Sequence, residues 1–303
     1  MTPELTLAPI PFHWTAGERR DFYARIADEA PIDTVYLGEL ICSKRAPFFE
    51  ADLPEIAERL EQGGKRVVWS SLAEILLKRE RKATEDLCAA DDGRAVEANN
   101  AAALLHMSGR PHRVGPMMNV YNVETMRYLA SRGATDFALP PEMPGTAVSL
   151  MAGAARAQGL SIEVQVFGRA SLAVSARCYH ARALGRTKDN CQFACEDDPD
   201  GMPLQTMDGA PFLVVNGIQT MSQSYINLAD RVPDITAMGV TGLRLVPQRQ
   251  DMVAVAEVFR DIAAGGISGA EATARLDAMQ LGVPFSNGFW LGEAGYRRIA
   301  RAS

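Results

Sequence analysis

Short apolar runs alternate with amphipathic runs along most of this chain, and that alternation limits the folds available to it. Strands that alternate with helices pair in parallel through right-handed crossovers. The apolar runs are rich in Val, Leu, Ile and Tyr, as expected of strands buried on both faces. The predicted strands are residues 5–9, 34–38, 66–70, 95–98, 113–118, 136–140, 162–168, 212–216 and 242–246. The predicted helices are residues 17–30, 52–63, 73–88, 100–108, 123–132, 146–158, 219–232 and 252–264.

This series of strand–helix units, in a chain of 303 residues, predicts an α/β fold of the (β/α) TIM-barrel type, either closed or incomplete and distorted. We expect a single domain over residues 1–303. Residues 169–211 break the rhythm and contain three of the five cysteines, so they predict a cysteine-bearing loop insertion. A loop of that length in a compact domain is usually functional. Residues 265–303 predict a C-terminal helical tail, with two short helices around an aromatic loop.

The charge pattern argues against two classes of partner. The formal net charge is -6 and no basic tract is evident, so nucleic acid is not an expected ligand. Residues 1–10 lack the basic-then-apolar plan of a signal peptide, and no apolar run reaches the ~20 residues of a membrane span. We therefore expect a cytoplasmic protein without a transmembrane segment. In that reducing compartment, cysteines indicate metal binding or burial rather than disulfides.

Polar residues follow many of the predicted strands. The carboxyl ends of parallel strands meet at one edge of the fold, where active sites of this class gather. One polar strand end would mean little, but their shared position predicts a polar rim. Its members include Glu39, Arg45, Asn100, Asn119, Asn122, Asn216, Gln219 and Arg244.

Four cysteines fall on or near this rim. Cys191 and Cys195 form a C-x3-C pair, which on a helix would project both thiols from one face. Cys178 lies in the same irregular stretch, and Cys42 follows a predicted strand, whereas Cys88 lies inside a helical pattern that favours burial. Spacing alone leaves three interpretations of the four open: an iron–sulfur cluster, a zinc site, and small buried side chains. The lack of C-x2-C pairs counts against zinc.

Longer segments around these cysteines form a recognisable sequence pattern. They are residues 35–39 with 42–45, Glu163 with Gly168, residues 175–178, residues 181–182, Arg186, residues 188–189 with Cys191 and Cys195, and residues 216–222. In these segments, and in their order, the chain resembles the collagenase-like peptidase family. Within that family it is similar to the branch that acts in oxygen-independent ubiquinone biosynthesis.

One position departs from the family pattern. The pattern resembles Glu-x4-Gly-x2-Cys with a second cysteine seven residues on, and here Ser171 stands at the first cysteine position. Serine is a poor cluster ligand, and Cys42 looks like its replacement. The resemblance therefore implies a [4Fe-4S] cluster on Cys42, Cys178, Cys191 and Cys195, with Cys88 left out.

The resemblance further implies an iron–sulfur subunit of an oxygen-independent hydroxylase that acts on the aromatic ring of ubiquinone precursors. Such proteins resemble obligate heterodimer partners of a UbiU-type paralogue, and a UbiT-type lipid carrier protein presents the prenylated ring. Prephenate, a dicarboxylate, is the implied oxygen donor, and arginine forks suit carboxylates. The candidate substrate- or donor-binding residues are Glu39, Arg45, Asn119, Arg177, Asn216, Gln219 and Arg244.

Two alternatives remain open. Other members of the family resemble RNA hydroxylases, although the acidic balance and Ser171 argue against that activity here. A cluster could also stabilise a non-catalytic partner protein. No Ser/His/Asp or Cys/His arrangement is evident, so no catalytic residue is predicted and the peptidase name carries little weight. His180, two residues after Cys178, is a candidate neighbour of the cluster rather than a ligand.

Overall fold

The computed structural model describes residues 2–90 and 92–300. Its strands are β1 (Glu4–Leu7), β2 (Thr34–Leu37), β3 (Arg66–Ser70), β4 (Ala95–Ala98), β5 (His112–Val114), β6 (Ala134–Ala138), β7 (Ser161–Val174), β8 (Met202–Gln205), β9 (Pro211–Asn216), β10 (Gln219–Asn227), β11 (Gly242–Leu245) and β12 (Phe285–Ser286). Its α-helices are α1 (Ala16–Asp28), α2 (Leu53–Gln62), α3 (Lys78–Ala89), α4 (Ala101–Met107), α5 (Val123–Ser131), α6 (Gly145–Arg156), α7 (Tyr179–Ala183), α8 (Val232–Ala237), α9 (Met252–Ala263) and α10 (Gly269–Ala278).

Parallel strands close into a barrel. Strands β1 to β7 pair in chain order, and β11 pairs with both β7 and β1, which completes the ring. The intervening helices pack around it, with α1 against α2 and α9. The predicted TIM-barrel-type α/β fold is confirmed, and the barrel is closed.

Some polar residues of the predicted rim begin helices. Asn100 accepts a hydrogen bond from the backbone amide of Ala103, and Asn122 accepts one from that of Thr125, each at 2.8 Å. Both asparagines are N-caps, which satisfy amides that the first helical turn leaves unpaired. These two positions therefore serve the fold.

Charged side chains tie the barrel strands together from inside. Glu163 of β7 accepts hydrogen bonds from the hydroxyls of Thr6 at 2.5 Å and Tyr36 at 2.6 Å. Arg244 of β11 pairs with Glu97 at 2.8 Å and with Glu163 at 3.2 Å. All five side chains are buried. Because they come from β1, β2, β4, β7 and β11, the network links opposite sides of the barrel.

An antiparallel extension grows from the barrel. β7 continues to Val174 instead of ending at residue 168, and it pairs with β10, which pairs in turn with β9, and β9 with β8. The predicted helix over residues 219–232 is wrong, because β10 occupies most of it. A two-residue turn joins β9 to β10, and its first residue, Gly217, has a φ of 66°. Glycine at that position is typical of a hairpin turn.

The C-terminal tail also differs from its prediction. α10 is present, but the second predicted helix is replaced by β12, which pairs with β10, and by the 3-10 helix Phe289–Leu291. Trp290 is buried there against Gly145, where a Cβ would lie 2.7 Å from the indole ring. The tail thus packs on the barrel through Trp290 and through Phe285, whose ring centroid lies 6.3 Å from that of Phe167. Across residues 2–90 and 92–300, no helix combines the length and apolar character needed to cross a bilayer.

Candidate metal centre

Four cysteines line one buried cavity of about 20 Å³. Cys42 follows β2, Cys178 precedes α7, and Cys191 and Cys195 lie on the irregular segment after α7. All four are free thiols. The structure thus brings together, from distant parts of the chain, the four cysteines that the family resemblance implies.

The spacing of the C-x3-C pair suggested an α-helix, but the pair does not lie on one. Gln192 and Phe193 have φ values of 50° and 53°, in the left-handed region, and only the 3-10 helix Ala194–Glu196 follows. Such a backbone conformation costs ~1–3 kcal/mol per residue. Phe193 helps to offset that cost by packing edge-on against Phe48, with ring centroids 4.6 Å apart. A strained turn therefore separates Cys191 from Cys195.

Side chains of the loop after β2 hold the cysteine-bearing backbone in place. Glu39 Oε1 accepts hydrogen bonds from the backbone amides of Ile41 and Cys42 at 2.8 and 2.9 Å. Lys44 Nζ donates to the carbonyl of Lys188 at 2.8 Å, which ties this loop to the segment before Cys191. Glu39, predicted as a ligand-binding residue, thus supports the Cys42 loop.

Arg45 and Asn216, also predicted to bind a ligand, bond to each other beside the cysteine cavity. Arg45 Nη2 donates to Asn216 Oδ1, and Asn216 Nδ2 donates to the carbonyl of Cys195 at 3.3 Å. Gly217 permits this approach, because a Cβ there would clash with Arg45 Nη2. The pair therefore positions the Cys195 segment.

The cavity combines apolar burial with positive charge. Burial raises the pKa of Cys42 and Cys195, because a thiolate loses solvation there, and the Arg45 guanidinium opposes the rise at both thiols. Lys44 Nζ lies 3.5 Å from Cys191 Sγ. These cations offset part of the negative charge that four thiolates would bring. Metal binding would favour the thiolate form further.

His180 lines the same cavity and is fully buried. Its Nε2 lies 3.0 Å from Asp198 Oδ2. Burial lowers the pKa of His180 and raises that of Cys178, so both side chains favour their neutral forms. His180 is thus a neighbour of the cysteine site, as predicted from its place in the sequence.

Four thiols form a ligand set that both zinc sites and iron–sulfur clusters use. Within residues 2–90 and 92–300, no three His, Cys, Asp or Glu side chains are placed to bind one ion. Zinc binds sulfur at ~2.3 Å, so four zinc ligands must converge on one point. In a [4Fe-4S] cluster each cysteine binds a different iron, and the sulfurs surround a larger group. The structure brings the four thiols to one cavity, which is a requirement that both kinds of site share.

Two further residues lie outside this cavity. Cys88 is buried in a separate apolar cluster with Val96 and Met107, in keeping with its predicted exclusion from the ligand set. Ser171, at the family's first cysteine position, lies in the wall of the barrel mouth instead. Its hydroxyl is 4.0 Å from the sulfur of Met117.

The remaining predicted ligand-binding residues do not all lie at one site. Asn119, Gln219 and Arg244 line a cavity of about 240 Å³ at the barrel mouth. Arg177 is exposed and does not line that cavity. Arg169 also lines the mouth and was missed from sequence. Its position next to Gly168 of the Glu-x4-Gly pattern was the available signal.

His13 should make the folded protein sensitive to acid. It is buried, and burial together with Arg45 and Arg19 lowers its pKa from 6.5 to about 4. The unfolded chain therefore binds more protons between these two pH values, and stability falls as the pH drops through that window. Between pH 6.5 and pH 4, we expect the free energy of unfolding to fall by up to about 3 kcal/mol less in His13→Gln than in the native chain. Urea denaturation at pH 6.5 and pH 4 measures the free energy of unfolding of both proteins. If the difference between the two pH values is the same in the variant and the native chain, His13 is not the source of the acid sensitivity.

Comparison with known proteins gives one strong family match. The model of the family described as Peptidase family U32 matches residues 20–296 of this chain. The match includes all four cysteines of the cavity, together with Glu163 and Gly168.

Similarity to solved structures is weaker. An uncharacterized B. cereus protein is 13% identical with a TM-score of 0.44, and the alignment covers 82% of this chain and 61% of that chain. Phospho-2-dehydro-3-deoxyheptonate aldolase from Thermotoga maritima is 12% identical with a TM-score of 0.42, covering 93% and 71%. N-acetylneuraminate lyase from Aliivibrio salmonicida is 11% identical with a TM-score of 0.36, covering 91% and 78%. The chain thus spans less than two thirds of the B. cereus protein.

Proposed function

The chain belongs to peptidase family U32, and we propose that it is the iron–sulfur subunit of an oxygen-independent hydroxylase acting on the aromatic ring of ubiquinone precursors. The proposed role is that of UbiV in oxygen-independent ubiquinone biosynthesis. A UbiU-type paralogue completes the heterodimer, and a UbiT-type lipid carrier protein presents the ring. The observation that carries the proposal is the gathering of Cys42, Cys178, Cys191 and Cys195 around one cavity.

A [4Fe-4S] cluster on these cysteines would supply one-electron transfer. The protein's own residues would set the conditions for it. Lys44 and Arg45 oppose the negative charge of the thiolates. Leu40 and Ile218 pack in one apolar cluster with Cys178, which limits water on that side. Charge, hydrogen bonds and solvent access around a metal site are the factors that tune its potential.

Peptide hydrolysis suits this site less well. Cys178, His180 and Asp198 are the residue types of a thiol protease, and the first two line one cavity. His180 is fully buried, so a peptide substrate has no access to it. Burial also raises the pKa of Cys178 and lowers that of His180, the reverse of what an attacking thiolate–imidazolium pair needs.

The three predicted arginines do not form a joint site for prephenate. Arg45 lies at the cysteine cavity, Arg177 is exposed, and Arg244 lies at the barrel mouth. Arg169 shares the mouth, but its Nη2 pairs with Asp200 at 3.2 Å and its Nη1 donates to carbonyls of β10. The two arginines at the barrel mouth are therefore already paired with carboxylates of this chain.

Anaerobic purification tests the proposal, with the chain alone and co-expressed with a UbiU-type paralogue. We expect about four irons and four acid-labile sulfides per chain, with the visible absorption of a cluster. Without oxygen, hydroxylated product should form only when both chains, the lipid carrier and prephenate are present. Zinc, or no metal, in the purified chain would contradict the redox role.

One surface feature keeps RNA hydroxylation as the second candidate. Residues 177–188 contain four basic residues among uncharged ones and no acidic residue, with Asp189 next in the chain; Arg177 and Arg182 are exposed, and Arg186 and Lys188 are half-buried. Such a segment favours an anionic partner. RNA affinity that falls steeply as salt rises would support this candidate. Tight binding to the UbiU-type chain without RNA binding would favour the first.

A further inference from the structure

The helices around the barrel leave a gap between α2 and α3. α2 packs against α1, and α3 packs against α4. A cavity of about 530 Å³ lies between α2 and α3, with Leu53 of α2 on one side and Ala83 and Leu87 of α3 on the other. Its volume falls within the ~300–1,000 Å³ of sites that bind small organic molecules.

Most of the wall of this cavity, the α2–α3 groove, is apolar. Leu53, Leu72 and Leu87 line it together with two aromatic side chains, Phe49 and Phe193. An apolar wall with few polar groups is typical of ligand sites, because burial of the ligand's apolar surface supplies the affinity. The groove therefore suits a ligand with a large hydrocarbon part.

Most polar side chains of the groove have partners within the protein. Ser43 donates to Glu80 Oε1, and Glu80 Oε2 accepts from two backbone amides. The hydroxyl of Ser70 donates to Glu97, and that of Thr84 donates to a backbone carbonyl. These groups are already satisfied, so they make no demand on a ligand.

Glu39 is the exception. Its Oε1 accepts from the amides of the Cys42 loop, but its Oε2 has no hydrogen-bond partner, and the residue is 7% exposed. Arg19 Nη2 lies 4.0 Å from this oxygen and donates instead to the carbonyl of Phe12. Within residues 2–90 and 92–300, no other side chain that lines the groove has a buried polar atom without a partner. Buried acceptors are nearly always paired, so Glu39 Oε2 indicates a ligand that donates a hydrogen bond.

The charges of the groove favour a neutral ligand. Its lining has three carboxylates and two cations, which are Glu39, Glu50, Glu80, Lys44 and Arg79. Arg19 adds a third cation beside Glu39, so the two signs balance. Glu50 and Arg79 are exposed, and solvent screens their charges. Neither an anion nor a cation gains a net attraction here.

The groove meets the cysteine site. Lys44 and Phe193 line both the groove and the cysteine cavity. Phe193 belongs to the strained turn between Cys191 and Cys195. A ligand in the groove would therefore contact side chains that also surround the thiols.

We propose that the α2–α3 groove binds a neutral phenol that carries a hydrocarbon tail. The phenol hydroxyl donates to Glu39 Oε2, and the ring and tail pack on the apolar wall. A phenol suits the site better than an aliphatic alcohol, because Phe49 and Phe193 add contacts between rings. The inference rests on the proposed function for the natural ligand, which is the prenylated ring, but the binding itself needs no cluster.

Titration calorimetry and saturation-transfer NMR on the full chain test this site with four probes. 2-Geranylphenol has the hydroxyl, the ring and the tail. Geranylbenzene lacks the hydroxyl, geraniol lacks the ring, and geranic acid replaces the phenol with a carboxylate. We expect 2-geranylphenol to bind, and the other three to bind at least about tenfold more weakly.

Three variants locate the binding. Glu39→Gln keeps an oxygen for the amides of the Cys42 loop but replaces the free acceptor with a donor, so 2-geranylphenol should bind about tenfold more weakly while iron content is kept. Ala83→Trp fills the groove and should abolish binding. Arg81→Trp places the same side chain at an exposed position of α3 outside the groove and should leave binding unchanged. If Glu39→Gln does not fold, Ala83→Trp and its control decide the question.

Four outcomes would overturn the proposal. They are no binding of 2-geranylphenol, equal or tighter binding of any other probe, binding that Glu39→Gln and Ala83→Trp both leave unchanged, and loss of the heterodimer in Ala83→Trp but not in Arg81→Trp. The last would assign the groove to a protein partner.

Iron analysis of the same samples separates this inference from the hydroxylase role. Four irons per chain without binding of 2-geranylphenol would overturn the groove alone. Binding in a chain that holds no iron would overturn the redox role alone. In Cys191→Ala, binding should survive even as iron is lost.

Discussion

Alanine at any one of Cys42, Cys178, Cys191 or Cys195 is expected to reduce the iron content of the anaerobically purified protein from about four atoms per chain to below about one. The four thiols line a single cavity, so each removal leaves one iron of a cluster without its protein ligand. The cationic neighbours cannot substitute, because Lys44 and Arg45 have no lone pair to offer a metal when protonated. Iron and acid-labile sulfide analysis, with the visible spectrum, gives the readout.

Cys88→Ala is the matched control. Cys88 is buried in its own apolar cluster with Val96 and Met107, away from the cavity, so the variant should keep its full iron content. Equal iron loss in Cys88→Ala, or full iron in any of the four other variants, would contradict the assigned ligand set. Limited proteolysis adds a second readout. Loss of the metal should expose the segment between α7 and β8 to cleavage, since that segment has little regular structure of its own.

The barrel was predictable because its strands are short, apolar and mostly followed by a helix. β10 was not, because the apolar residues of β10 and of the two positions after it have the spacing of a helical face. Met221, Tyr225, Leu228 and Ala229 follow the i, i+4, i+7, i+8 spacing of a helical face, and the strand is buried almost throughout, which removes the alternation that marks a strand. The Asn216-Gly217 pair is typical of a hairpin turn, and the prediction did not use this signal.

The cysteines of the candidate site could be predicted from the sequence, but the contacts that support them could not. The four cysteines belong to family-specific segments that can be read along the chain. The contact between Arg45 and Asn216 joins positions 171 residues apart, and nothing in either local sequence indicates that they meet. The same applies to Glu39, whose carboxylate supports the Cys42 loop although its position after a strand resembles that of a ligand-binding residue.

The Glu-x4-Gly part of the family pattern has a structural explanation. Gly168 has a φ of 99°, and a Cβ there would lie 2.7 Å from the carbonyl oxygen of Val246. It follows a register shift between β7 and β11, where the chain leaves the barrel for the antiparallel extension. Glu163 lies on the same strand and belongs to the buried network inside the barrel. Both residues therefore shape the barrel near the site without lining the cysteine cavity.

Glu163→Ala is expected to lower the free energy of unfolding by about 3–5 kcal/mol, the usual effect of removing one partner from a buried ion pair. Glu163 accepts from Thr6 and Tyr36 and pairs with Arg244, so the substitution leaves two buried hydroxyls and part of a guanidinium without partners. Glu97 alone would then balance Arg244. Urea or guanidinium denaturation, followed by circular dichroism, measures the change.

Two variants separate the charge of Glu163 from its hydrogen bonds. Glu163→Gln keeps the shape and one acceptor oxygen, but Thr6 and Tyr36 donate to different oxygens, so the amide can accept from only one of them; we expect a loss of about 1–3 kcal/mol. Glu124→Ala removes an exposed glutamate that pairs with Arg127 within α5 and should change stability by less than about 0.5 kcal/mol. If Glu163→Ala were as mild as Glu124→Ala, the buried network would not stabilise the barrel, and the glutamate of the family pattern would need another explanation. If the loss in free energy of unfolding decreases in the order Glu163→Ala, Glu163→Gln, Glu124→Ala, the role of Glu163 is to hold β1, β2, β7 and β11 together.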